Sequence, residues 1–150
     1  MSDDKPAASG PETSIARGGC LCGAVCYEVK GKLRGVVNCH CEMCRHLHGS
    51  FGPHTKAAKA AITLIRSDGL AWYKTSEVAH RGFCRECGSG LFWEPFNLDY
   101  TGIIAGTLDM PSGLETIGHI FVAEKADFYN IHDDIPQFDG SSQGQLENDF

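Results

Sequence analysis

No stretch of this 150-residue chain approaches the roughly 18 consecutive apolar residues of a membrane helix, so no membrane partner is expected. Basic residues are scarce as well. Thirteen Lys and Arg stand against nineteen Asp and Glu, a formal charge of −6, and they form no run. Such a field does not gather the phosphates of DNA, RNA or anionic lipid, and no nucleic-acid role is expected. Nowhere does a strand–helix–strand alternation show, which argues against a thioredoxin-like redox design. The opening MSDDKPAASGPETS carries two early acids and no apolar run, unlike an export signal. The expected location is therefore cytoplasmic, in a compartment where disulfides are rare.

Against those absences stand eight cysteines. They exceed ordinary usage, yet fall below the ~8–10% of a disulfide scaffold. A single domain of this length buries roughly 68–70% of its unfolded surface and needs no stapling. Clustered cysteines in a reducing compartment point instead to metal ligands or redox groups.

Eighteen glycines break the chain into short apolar stretches rich in β-branched and aromatic residues. Strands are expected over 23–29, 33–41, 60–67, 70–75, 78–84, 89–95, 100–109, 116–124 and 126–131. Helical turns are expected only around Glu42–Leu47 and Thr55–Lys59. The fold class is mostly β, with small antiparallel sheets. Residues 1–14 read as a disordered leader, 15–138 as the domain, and 139–150 as an acidic disordered tail. Trp72, Trp93 and Phe96 read as core, and Lys125 as a solvated strand residue.

Seven of the cysteines fall into three clusters: Cys20-Leu21-Cys22, Cys39-His40-Cys41-Glu42-Met43-Cys44 and Cys84-Arg85-Glu86-Cys87-Gly88. Residues i and i+2 of an extended chain share a side, so a C-x-C pair offers two sulfurs to one ion. A C-x-x-C-G turn converges its sulfurs by folding back, with glycine accepting positive φ. One pair of each kind supplies two edges of a zinc tetrahedron. Cys20 and Cys22 with Cys84 and Cys87 would make a closed, structural site, although spacing alone does not fix which C-x-C joins the C-x-x-C. Cys39, Cys41 and Cys44 would then leave a fourth position to water or substrate, as in a catalytic site. A second structural zinc completed by His40, His46, His48 or His54 is the competing reading. A redox pair, Cys41 with Cys44 or Cys84 with Cys87, is a weaker rival. Cys26, in mid-strand, reads as a small buried hydrophobe.

The segments GGCLCGAVCYEV, CHCEMCR with HGS after it, FCRECGSGLFW, IIAGTLD and HIFVAEKADFYNI ending in IPQF resemble the glutathione-dependent formaldehyde-activating enzyme family, which includes centromere protein V. The resemblance runs from about Gly18 to Phe138. It implies a zinc-stabilised, β-tent-like fold with two Zn²⁺ per chain. Cys20, Cys22, Cys84 and Cys87 would hold a structural zinc, and Cys39, Cys41 and Cys44 a catalytic one. The implied activity is that of a carbon–sulfur lyase joining formaldehyde to glutathione, its co-substrate, to give S-hydroxymethylglutathione.

Three thiolates make zinc a weak Lewis acid but a good holder of a further thiolate. Arg45, Gly49 and Ser50 are the candidates for binding glutathione, and His48 for moving a proton. For Arg45 the alternative is an ion pair with Glu42. Thr107 and Asp109 read as a strand-end turn. The same chemistry on another thiol or small carbonyl compound is the runner-up, and a non-catalytic zinc-stabilised binding module the third reading.

Overall fold

A computed structural model describes residues 14–146 of the chain. Among them, β1 (Ile15–Gly19), β2 (Cys26–Lys30), β3 (Val36–Cys39), α1 (Glu42–His48), β4 (Gly52–Ala58) and β5 (Ile62–Arg66) come first. Next are β6 (Leu70–Lys74), β7 (Ala79–Cys84), β8 (Gly90–Pro95), β9 (Tyr100–Ile104) and β10 (Thr116–Ile120). The strands make a three-stranded sheet, β1-β2-β5, and a seven-stranded sheet, β10-β3-β4-β9-β8-β7-β6. The fold is mostly β, as expected. Every pairing is antiparallel except β10 with β3, which run parallel.

Alternation builds the core. In β2, Tyr27 and Val29 point inward, while Cys26 and Glu28 are half-buried. Tyr27 and Val29 pack in one cluster with Leu91 and Phe92 of β8 and Ile103 of β9, so the small sheet lies over the large one. The Tyr27 and Phe92 rings meet edge to face at 5.3 Å. The Thr107 hydroxyl donates to the Ile104 carbonyl at 2.7 Å, so the Tyr27 hydroxyl, also 2.7 Å away, donates to Thr107. Thr107 closes a 3-10 turn at Ala105–Thr107, in line with the strand-end reading.

Several expectations are corrected. The turn expected over Thr55–Lys59 is helical only at its last residue, where Lys59 opens a 3-10 turn to Ala61; Thr55 to Ala58 belong to β4, paired with β9 from His54 on and with β3 at its start. Sheet pairing overrides the helix-forming composition of HTKAAK. Residues 126–131 form no strand, because the chain there turns after a 3-10 segment at Val122–Glu124. β1 escapes the sequence reading. Trp72 and Phe96 are exposed rather than core, and Trp93 is half-buried. Lys125 is not a solvated strand residue; its ammonium donates to the carbonyls of Ala126 and Tyr129.

The segment from Asp139, expected as a loose tail, is bonded to the domain as far as it is described. Phe121 N–H donates to Gly140 O at 2.8 Å, Ser142 is buried, and the Leu146 side chain lies against Gly118. Just before it, 136–138 runs beside β10, with His119 N–H bonded to Pro136 O and Phe138 N–H to His119 O, each at 2.9 Å. The leader up to Thr13 and residues 147–150 lie outside the described residues. No helix among the described residues is long and apolar enough to cross a membrane.

Candidate functional site

Two hairpin loops bring four cysteines together. Cys20 and Cys22 lie in the β1–β2 loop, which turns through Gly23 at φ 86°, so this C-x-C is a turn rather than the extended pair expected. Cys84 ends β7, and Cys87 precedes Gly88, which takes φ 81° as the C-x-x-C-G spacing requires. All four sulfurs lie within 4.8 Å of one another. Cys20 Sγ to Cys22 Sγ is 3.7 Å and Cys22 Sγ to Cys84 Sγ 3.8 Å. A tetrahedron with ~2.3 Å Zn–S bonds has edges of about 3.8 Å, so this set fits zinc.

Ser89 ties the loops together. Its Oγ accepts Leu21 N–H at 3.0 Å and lies 3.2 Å from Cys87 Sγ, and this hydrogen bond draws the Cys87 thiol down to about 5. Gly69 makes room for Cys84: a Cβ there would stand 2.7 Å from its sulfur. Cys26 is half-buried rather than fully so, and its thiol donates to Gly23 O at 3.4 Å.

The second set is assembled locally. Cys39 ends β3, Cys41 is the N-cap of α1, and Cys44 sits buried in the helix's first turn. The Cys41 sulfur accepts Cys44 N–H at 3.4 Å, so one thiol both caps the helix and faces its partners. The three sulfurs lie within 4.8 Å of one another. Hydrogen bonding among the three thiols draws Cys41 down and pushes Cys39 up. Three convergent sulfurs are a soft donor set that fits zinc. Arg81 donates to Cys44 Sγ at 3.6 Å.

These sulfurs form part of the wall of a cavity of about 500 Å³. One side of it is a single row of paired residues crossing four strands. Arg81 of β7 pairs with Trp93 of β8, Trp93 with Gly102 of β9, and Gly102 with Lys56 of β4. Paired residues share a face, and the Trp93 side chain lies against the bare backbone of Gly102, between the cations at the ends of the row. Arg34 adds a third cation, its guanidinium donating to the carbonyls of Gly35 and His54. No carboxylate lines the cavity among the described residues, and Ser141–Gly144 closes part of it. Register, not local spacing, gathers Arg81 and Lys56, and no sequence motif marks them.

The candidate contacts from sequence fall elsewhere. Arg45, Gly49 and Ser50 line neither this cavity nor the neighbouring one of about 300 Å³. The Arg45 guanidinium donates to Glu124 O at 2.9 Å instead of pairing with Glu42, and Gly49 is the left-handed C-cap of α1. His48 lines the smaller cavity.

The histidines near the second set divide by direction. His40, between two ligand candidates in extended chain, points away from them and is fully buried. Its Nε2 lies 3.1 Å from His119 Nδ1, and His119 Nε2 lies 3.0 Å from Asp133 Oδ2. Burial holds His40 down to about 4. His46 is exposed beside Glu42. Only His48 and His54 approach a cysteine of the set, and that cysteine is Cys44.

A family model described as glutathione-dependent formaldehyde-activating enzyme matches residues 15–124. The chain belongs to this family. Among solved structures, a Rhodobacter sphaeroides protein of the same fold is 22% identical, with a TM-score of 0.52 over 81% of this chain and 98% of its own. No curated protein matches the chain. For the glutathione-dependent formaldehyde-activating family, the two cysteine groups are compatible with zinc binding.

Proposed function

We propose that this chain is a zinc-dependent carbon–sulfur lyase that forms or cleaves S-hydroxymethylglutathione. Cys20, Cys22, Cys84 and Cys87 hold a structural zinc, and Cys39, Cys41 and Cys44 a catalytic one. The observation that carries the reading is the placement of three convergent sulfurs on the wall of a cavity that Arg34, Lys56 and Arg81 also line. When bound there, zinc supplies a soft fourth position at which a thiol stays ionised near neutral pH.

The remaining work falls to the chain's own residues. Arg34 and Lys56 supply the positive field that suits the two carboxylates of glutathione, in place of Arg45, Gly49 and Ser50. Arg81, held against Cys44, compensates the sulfur charge and faces the site where an alkoxide oxygen develops. In the forward direction the glutathione sulfur attacks the formaldehyde carbon, a C–S bond forms, and the thiol proton ends on the former carbonyl oxygen. Cleavage reverses this, and neither direction needs an oxidant. All eight cysteines are free of disulfides, in keeping with a cytoplasmic setting.

The test is glutathione–formaldehyde exchange followed by NMR. The wild-type chain should accelerate exchange, and Cys41→Ser and Cys44→Ser should return it to the spontaneous rate. Equal rates in all samples would overturn the assignment.

A further inference from the structure

Cys44 belongs to two groups of converging donor atoms. The first is the three-sulfur set. The second joins Cys44 Sγ to ring nitrogens of His48 and His54, all within 4.8 Å of one another. We propose that Cys44, His48 and His54 form a second metal-binding set, sharing Cys44 with the first, which takes a divalent ion such as Zn²⁺ when Cys39 or Cys41 is withdrawn. The inference rests on the reading of Cys39, Cys41 and Cys44 as metal ligands.

Two observations on the rings support it. His48 Nε2 is buried and has no hydrogen-bond partner, which is costly for a ring nitrogen unless something else satisfies it. His54 Nδ1 lies 2.8 Å from Gly52 O, which fixes the proton there and leaves Nε2 with its lone pair. Metal-binding histidines are oriented in this way.

The backbone is shaped for the two rings as well. A Cβ on Gly52 would stand 2.7 Å from carbons of both imidazoles, so residue 52 must lack a side chain for them to approach each other. The rings lie nearly perpendicular, at 80°, with centroids 5.9 Å apart.

The two sets differ in chemistry. Three thiolates over-neutralise a divalent ion, whereas one thiolate and two neutral imidazoles leave it formally cationic, a better holder of an oxygen donor. The neighbouring Arg81 guanidinium opposes that surplus charge, which makes the second set the weaker one. Its position also differs. His54 lines the larger cavity and His48 the smaller, so an ion there would stand between the two.

Cobalt substitution in the full chain tests this, because thiolate-to-cobalt absorption counts sulfur ligands and needs no activity. The wild-type chain should bind about two cobalt ions, one per cysteine set. A Cys39→Ser, Cys41→Ser variant, in which serine still caps α1, should also bind about two, the second with absorption weakened to that of one thiolate. Adding His54→Gln should remove that second ion. Should the double variant not fold, as judged by circular dichroism, Cys39→Ser alone should show the same nitrogen-shifted spectrum and the same loss with His54→Gln. Two ions in the wild type but only the four-cysteine ion in the variants would overturn the second set alone. So would a second ion indifferent to His54→Gln. Only one ion in the wild type would overturn the three-sulfur reading as well.

Discussion

Glu94 gathers three polar partners away from the cysteine sites. It accepts from the Thr101 hydroxyl at 3.0 Å and lies 3.2 Å from both His80 Nε2 and Lys59 Nζ. Burial alone would raise its pKa, but the bonds from His80, Lys59 and Thr101 outweigh that and lower it. A carboxyl group depressed in the folded state contributes stability above its unfolded pKa of ~4.3 and loses it as pH falls through the folded value. Glu94→Gln should therefore cost about 1–3 kcal/mol at pH 7. The difference from wild type should shrink as the pH drops below ~4, read from denaturation midpoints at several pH values. At this same scale the cysteines were the legible residues, because a ligand pair separated by one or two positions is a local property. Arg81 and Lys56 were not legible, since each is a lone cation until strand register lines them up across the sheet.

Among the elements, α1 illustrates how a short helix is held. Seven residues are too few to persist alone in water, and this helix is fixed by a sulfur at its N-cap and a glycine at its C-cap. Gly49 takes φ 91° and donates its N–H to Arg45 O. A Cβ at that position would meet nothing within 4 Å, so the cost of Gly49→Ala is purely conformational. It should destabilise the chain by about 1–2 kcal/mol in urea titrations, without dislodging the three convergent sulfurs. The helix was visible in the sequence because its caps are local. β4 was not: its residues favour helix, and partners on β3 and β9, far along the chain, decide its form. Pairing of that range is what single-residue propensity cannot carry.

Across the whole molecule, the four-cysteine set joins the β1–β2 loop of the small sheet to the β7–β8 loop of the large one. Apolar packing between the sheets, centred on Tyr27 and Phe92, is the other connection. If the four cysteines hold the proposed zinc, its loss should loosen the small sheet first, because it has only three strands to hold itself together. In Cys87→Ser, amide exchange of β1, β2 and β5 should accelerate by more than about tenfold, ~1.4 kcal/mol of opening free energy, while β8 and β9 keep their protection. Uniform acceleration would instead show a single cooperative unit. Small sheets were expected from the sequence, but which strands form each was not legible, because sheet membership is settled by which strands meet rather than by their composition.

β10 stands at the margin of the large sheet, and its outer side is covered by 136–138. An uncovered strand there would offer a row of unmet amides and carbonyls to any passing molecule, a template for aggregation. The chain's last turns thus act as a guard on self-association. A version ending before Pro136 could keep every cysteine and its chemistry and still fail by precipitating.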